Sequence, residues 1–158
     1  MAGLPRLRAA QLAAVCLIGV LAGCSWGPGT RITDPVLPGA DILSLMHGNT
    51  FRARTEAGAD VAIYYRDDGE VFMRGLKNSG EPIIDSGIWS VESDRLCTRW
   101  NNIRRQVKTC EWVTNRGGVI RTYDPIGNPT ASGRLYAGNP NRADTLPQVP
   151  PIKQRAGG

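Results

Sequence analysis

The residues able to do chemistry in this chain are few, and they do not assemble into a catalytic set. His47 is the only histidine. It could act as a general base or, with Met46, bind haem. Histidine catalysis needs a positioned partner, and no Ser-His-acid spacing accompanies it, so it reads as a surface residue at a helix end. Asp67, Asp68 and Glu70 offer oxygen ligands for calcium, but Asp-Asp-Gly-Glu is too short for an EF-hand loop and reads as a hairpin turn. Cys97 and Cys110 could be metal ligands, a redox pair or a disulfide. Two thiols without a nearby histidine make a poor zinc site, and redox pairs are usually spaced Cys-x-x-Cys. Trp89, Trp100 and Trp112, with Tyr64, Tyr65 and Phe72, suit a small β core. They could also line a cavity, since a closed barrel of about eight strands can hold one small ligand. Arg104 and Arg105, with Arg95, Arg99 and Lys108 nearby, could meet lipid phosphates or an acidic protein, or form a solvated strand face. No Gly-rich phosphate loop or metal-ligand cluster is present. The sequence therefore gives no reason to expect catalysis, a metal or a cofactor.

The elements that would position these residues are short and mostly β. Residues 41–46 form one or two helical turns, with Asp41 as N-cap and Gly48 as a left-handed C-terminal cap. Ile42, Leu45 and Met46 then share a face. Apolar and polar positions alternate over 49–55 and 61–65, and Asp67-Asp68-Gly69 turns the chain into a return strand at 71–76. Further strands are expected at 83–91, 96–100, 106–114, 119–123 and 133–136. Seven or eight short antiparallel strands at regular spacing predict an all-β domain, a small barrel or sandwich with a short N-terminal helix. Residues 24–40, rich in Pro and Gly, read as a flexible tether spanning roughly 20 Å. The domain occupies 41–137, and 138–158 reads as a disordered tail.

The first 23 residues have the layout of a secretory signal. Arg6 and Arg8 precede an apolar run, and small residues close it. The run is shorter than the roughly 20 apolar residues a membrane helix needs. Leu21-Ala22-Gly23-Cys24 resembles the lipobox of bacterial lipoproteins. That resemblance implies cleavage before Cys24 and lipidation of its sulfur and nitrogen, including an acyl chain such as palmitate. It places the chain in the cell envelope, membrane-anchored and facing the periplasm. Ser25 in place of aspartate favours the outer membrane. Without Arg6 and Arg8 the formal charge falls from +5 to +3, too weak and too dispersed to argue nucleic-acid binding.

Export also decides among the cysteine readings. Cys16 leaves with the leader and Cys24 carries lipid, so Cys97 and Cys110 remain as a pair in an oxidising compartment, where a structural disulfide is expected. Folding the chain about Ile103 and Arg104 sets Cys97 opposite Cys110, Thr98 opposite Thr109 and Trp100 opposite Val107. It also sets Arg99 against Lys108, an unfavourable pairing that a bulge or shift would relieve.

Gly48-Asn49-Thr50, Asp68-Gly69, Gly87-Ile88-Trp89, Leu96-Cys97 and Cys110 form a series. As a set it is similar to a family of small exported proteobacterial β-proteins without assigned catalytic residues. Gly-Ile-Trp is also similar to the Gly-x-Trp of lipocalins, although there the motif lies on the first strand; it implies barrel-like packing rather than a lipocalin ligand. The expected function is a non-enzymatic envelope lipoprotein that binds a small apolar ligand or an envelope protein. Its binding residues would come from Tyr64, Trp89, Trp100, Trp112, Arg104 and Arg105. Inhibition of envelope-directed hydrolases is a close variant, and a structural envelope component without a small ligand is the alternative.

Overall fold

Alternating apolar positions close on themselves in the computed structural model, which describes residues 32–145. Eight antiparallel strands form one barrel in chain order: β1 (Asn49–Thr55), β2 (Asp60–Tyr65), β3 (Glu70–Leu76), β4 (Pro82–Glu92), β5 (Arg95–Trp100), β6 (Thr109–Arg116), β7 (Val119–Tyr123) and β8 (Pro129–Ala137), with β8 pairing back to β1. The choice left open between barrel and sandwich is thus settled as a barrel, in which every strand has a neighbour on each side. Register sets Phe51 against Ile63 and Leu135, Ile63 against Met73, and Tyr65 against Val71. These alternate positions fill the interior, together with Val61, Trp89, Leu96, Trp100, Val113 and Ile120.

One end of the barrel is sealed by α1 (Gly39–Met46), whose Ile42 and Met46 are fully buried in the same core cluster as Trp89. The helix starts two residues before the expected cap. Pro38, not Asp41, is the N-cap residue, and the Pro38 carbonyl accepts from the backbone N–H groups of Asp41 and Ile42. The Gly39 N–H donates to Asp94 Oδ1 at 2.6 Å, so a tertiary contact does the work of a side-chain cap. Asp41 instead lies in the first turn, where a negative charge suits the helix dipole. Gly48 follows with φ +69°, the left-handed conformation expected there.

Two flanking segments lie against the outside of the barrel. Val36 bridges Thr114, and the Leu37 N–H donates to the Val113 carbonyl at 2.8 Å, beyond the point where the β5–β6 ladder ends. Asp34, almost fully buried, accepts from Arg116 and Arg121 at 3.2 and 3.0 Å. Residues 32–38 were expected to belong to a free tether; here they form a strap along β6. Similarly, part of the segment expected to be disordered crosses the outer face of β1–β3. Gly138 accepts from the Thr50 hydroxyl at 2.6 Å and Asn141 from Arg74 at 2.8 Å, ahead of a short turn at Ala143–Thr145. The leader and Cys24 lie outside the described residues. Within them, no helix is long and apolar enough to cross a membrane.

Cys97 and Cys110 are disulfide-bonded across β5 and β6. The expected pairs Cys97–Cys110 and Thr98–Thr109 are present, the ladder continues to Leu96–Glu111, and it stops there. Trp100 does not pair with Val107, because the chain leaves the sheet in a turn over Ile103–Gln106. Arg99 and Lys108 are thereby separated, and Lys108 reaches Glu92 at 2.7 Å.

A candidate ligand cavity in the barrel

The end of the barrel away from α1 is open. A cavity of about 420 Å³ enters there, between the β1–β2 turn at Thr55–Ala59, the loop carrying Ile103 and Arg104, and Pro129–Thr130. Phe51, Val61, Ile63, Met73, Ile83 and Trp100 give its apolar wall. Tyr65, Thr98, Glu111, Thr122 and Thr130 bring polar atoms to it. A void of this size, mostly apolar with a few convergent polar groups, is the usual form of a small-molecule site. A second, larger depression of about 690 Å³ lies outside, over β1–β4 beside Arg52, Arg54 and Arg74. It is open to solvent, so it offers a ligand much less burial than the interior.

Glu111 is the unusual residue. Leu96, a core residue, is its cross-strand partner, so alternation points Glu111 inward as well. Its side chain keeps 21% of its surface exposed, and that surface lines the cavity. Burial holds its carboxyl pKa above the ordinary glutamate value, while Arg104 and the nearby Thr130 and Thr122 hydroxyls pull the other way. The two threonine hydroxyls are 2.6 Å apart. Tyr65 faces the same space and its phenol pKa is pushed up, first by burial and then by Glu111, so it remains a neutral hydroxyl.

Arg104 is held at the rim by a residue far away in sequence. Buried Asp85, on β4, accepts from the backbone N–H groups of Asn102 (3.1 Å) and Ile103 (2.8 Å) and from the Asn102 side chain (3.1 Å). These bonds fold the loop over the barrel end. Arg104, Arg105 and Gln106 all have φ between 52° and 65°, a left-handed run that costs non-glycine residues about 1–2 kcal/mol each. Its persistence requires anchors of this kind.

Of the expected binding residues, the structure brings only Trp100 and Arg104 to the cavity. Trp89 instead packs at the α1 end, edge-on to Tyr65 at 5.4 Å, with its indole N–H donating to the Arg66 carbonyl at 2.9 Å. Gly87, two residues earlier, lets β4 approach β5: a Cβ there would lie 2.2 Å from the Arg99 carbonyl oxygen. Trp112 and Tyr64 alternate with inward-facing Val113 and Tyr65, so both point outward. Trp112 lies under the Arg95 guanidinium at 5.4 Å. Arg105 is exposed and does not line the cavity. Glu111, Thr98, Thr122 and Thr130 were missed. The signal for Glu111 was available, because the cysteine register that places Leu96 inward places Glu111 inward too.

The other candidates are occupied by ordinary contacts. His47 is about half exposed and 3.4 Å from Asp67, whereas Met46 is buried in the core, so the two do not converge on a haem site. Arg66 takes Asp68 and Glu70, and its hydrogen bond lowers the Asp68 pKa to about 2. The sulfurs of Cys97 and Cys110 lie near Glu92 but are bonded to each other, so they offer no thiolate to a metal. Compared with known proteins, the chain matches no family model and no curated protein.

Proposed function

We propose that this protein is an exported, lipid-anchored binding module of the cell envelope. It would hold one small, mainly apolar molecule inside its barrel and carry out no reaction of its own. The observation that carries this reading is the roughly 420 Å³ cavity with an apolar wall, a few polar groups and one open end. The leader pattern ending at Cys24 supports the address. In this reading Cys24 anchors the chain at the periplasmic face of the outer membrane, and the barrel is the working part. Arg104 and Trp100 act at the cavity; Arg105 remains a solvent-side cation.

The test is titration of the full-length protein in lipid nanodiscs with an uncharged environment-sensitive apolar dye, corrected against empty nanodiscs. One saturable site is expected, lost in Ala131→Phe, which places a ring in the cavity at a wall position. Unsaturable binding, or binding indifferent to Ala131→Phe, would refute it.

A further inference from the structure

The chemistry of the cavity narrows the ligand, provided that the cavity is a binding site as proposed above. Its inner carboxylate is incompletely matched. A carboxylate has about four acceptor positions. The Thr122 and Thr130 hydroxyls are hydrogen-bonded to each other, which leaves at most one hydroxyl hydrogen for Glu111. The nearest cation, Arg104 Nη1, stands 3.9 Å away with half of its side chain in solvent, beyond the roughly 2.7–2.9 Å of a charge-assisted hydrogen bond. A negative charge in an apolar enclosure is costly unless paired at close range. Glu111 lines the cavity, with about a fifth of its side chain accessible (21%).

We infer that the cavity is built for an apolar amine, whose protonated nitrogen seats against Glu111 while its hydrocarbon body packs on Phe51, Ile63, Met73 and Trp100. An acidic ligand fits poorly. It would meet Glu111 inside, and Glu56 is a second carboxylate on the lining, on the exposed β1–β2 turn. Arg104, the cation of the rim, competes with the ligand for Glu111 rather than recruiting it.

Three probes of one shape separate the possibilities: 1-adamantylamine, 1-adamantanol and adamantane-1-carboxylate, titrated calorimetrically into the full-length protein in nanodiscs. The amine should bind roughly tenfold or more tighter than the alcohol, the increment expected of one charge-assisted hydrogen bond. Glu111→Gln should abolish that preference, bringing amine and alcohol to similar affinity. Arg104→Ala should strengthen amine binding, which a merely structural role for the pair would not do, and it gives a readout even where Glu111→Gln folds poorly. Equal binding of amine and alcohol, preference for the carboxylate, or a preference that survives Glu111→Gln would overturn the amine assignment while leaving the cavity reading intact. Failure of all three probes together with the apolar dye would overturn both.

Discussion

The Arg104 guanidinium stands 3.9 Å from the Glu111 carboxylate, one at the rim of the barrel and the other within it. Seven positions of chain separate them, yet each reaches that place by a different route. Glu111 is carried inward by strand alternation next to the disulfide, and Arg104 by a loop tied down by Asp85. The pair sets the electrostatic character of the entrance to the interior cavity.

Glu111 should make stability depend on pH in a definite direction. Its pKa in the fold lies above the ordinary value, so the folded state binds that proton more readily than the unfolded chain. Its favourable contribution is complete below the ordinary glutamate range and is lost as pH rises through the raised pKa. Glu111→Gln cannot titrate. It should melt higher than the parent at about pH 7, with the gap closing towards about pH 4. The neighbouring Arg104, Asp124 and Tyr65 are common to both proteins. Thermal melts across that interval check this, and a gap independent of pH would contradict it.

Asp85 should matter more than its distance from the cavity suggests. Asp85→Ala would remove the carboxylate that accepts from the part-buried N–H groups of Asn102 and Ile103, at a cost of about 3 kcal/mol. Hydrogen exchange should accelerate at residues 102–106 before it does in the strands. Uniform acceleration throughout the barrel would show that the loop is not a separate unit held by this carboxylate.

The disulfide closes a short loop and should contribute about 3 kcal/mol. Cys97→Ser with Cys110→Ser should lower the melting temperature by on the order of 10 °C and leave the far-ultraviolet dichroism β-type. A double variant as stable as the parent would exclude a structural role.

Much of the architecture was legible because it is written in short-range patterns. The Asp67-Asp68-Gly69 turn and the alternation at Phe51, Ala53, Val61 and Ile63 give strands and faces directly, and the cysteine pair gives a register. The outer supports were not legible. Asp34 lies in a Pro-rich stretch and Asn141 in a polar tail, and both are ordered by arginines on distant strands. The site was read through its aromatics, and half of that reading pointed the wrong way. Trp112 and Tyr64 are large and conspicuous, but strand parity turns them out, while the less conspicuous Thr122, Thr130 and Glu111 face inward. Asp85 could not be assigned from sequence, since its partners lie across the barrel end at Asn102 and Ile103.

Native mass spectrometry of the non-reduced protein, purified from its own membranes, tests most directly whether the barrel carries a ligand. The expected spectrum contains a chain bearing lipid on Cys24 and the intact Cys97–Cys110 bridge, together with a separable small molecule of basic character. That molecule should be absent when Ala131→Phe fills the cavity. A protein that releases no small molecule, or one that releases the same molecule after the cavity is filled, would contradict a binding role for the barrel interior.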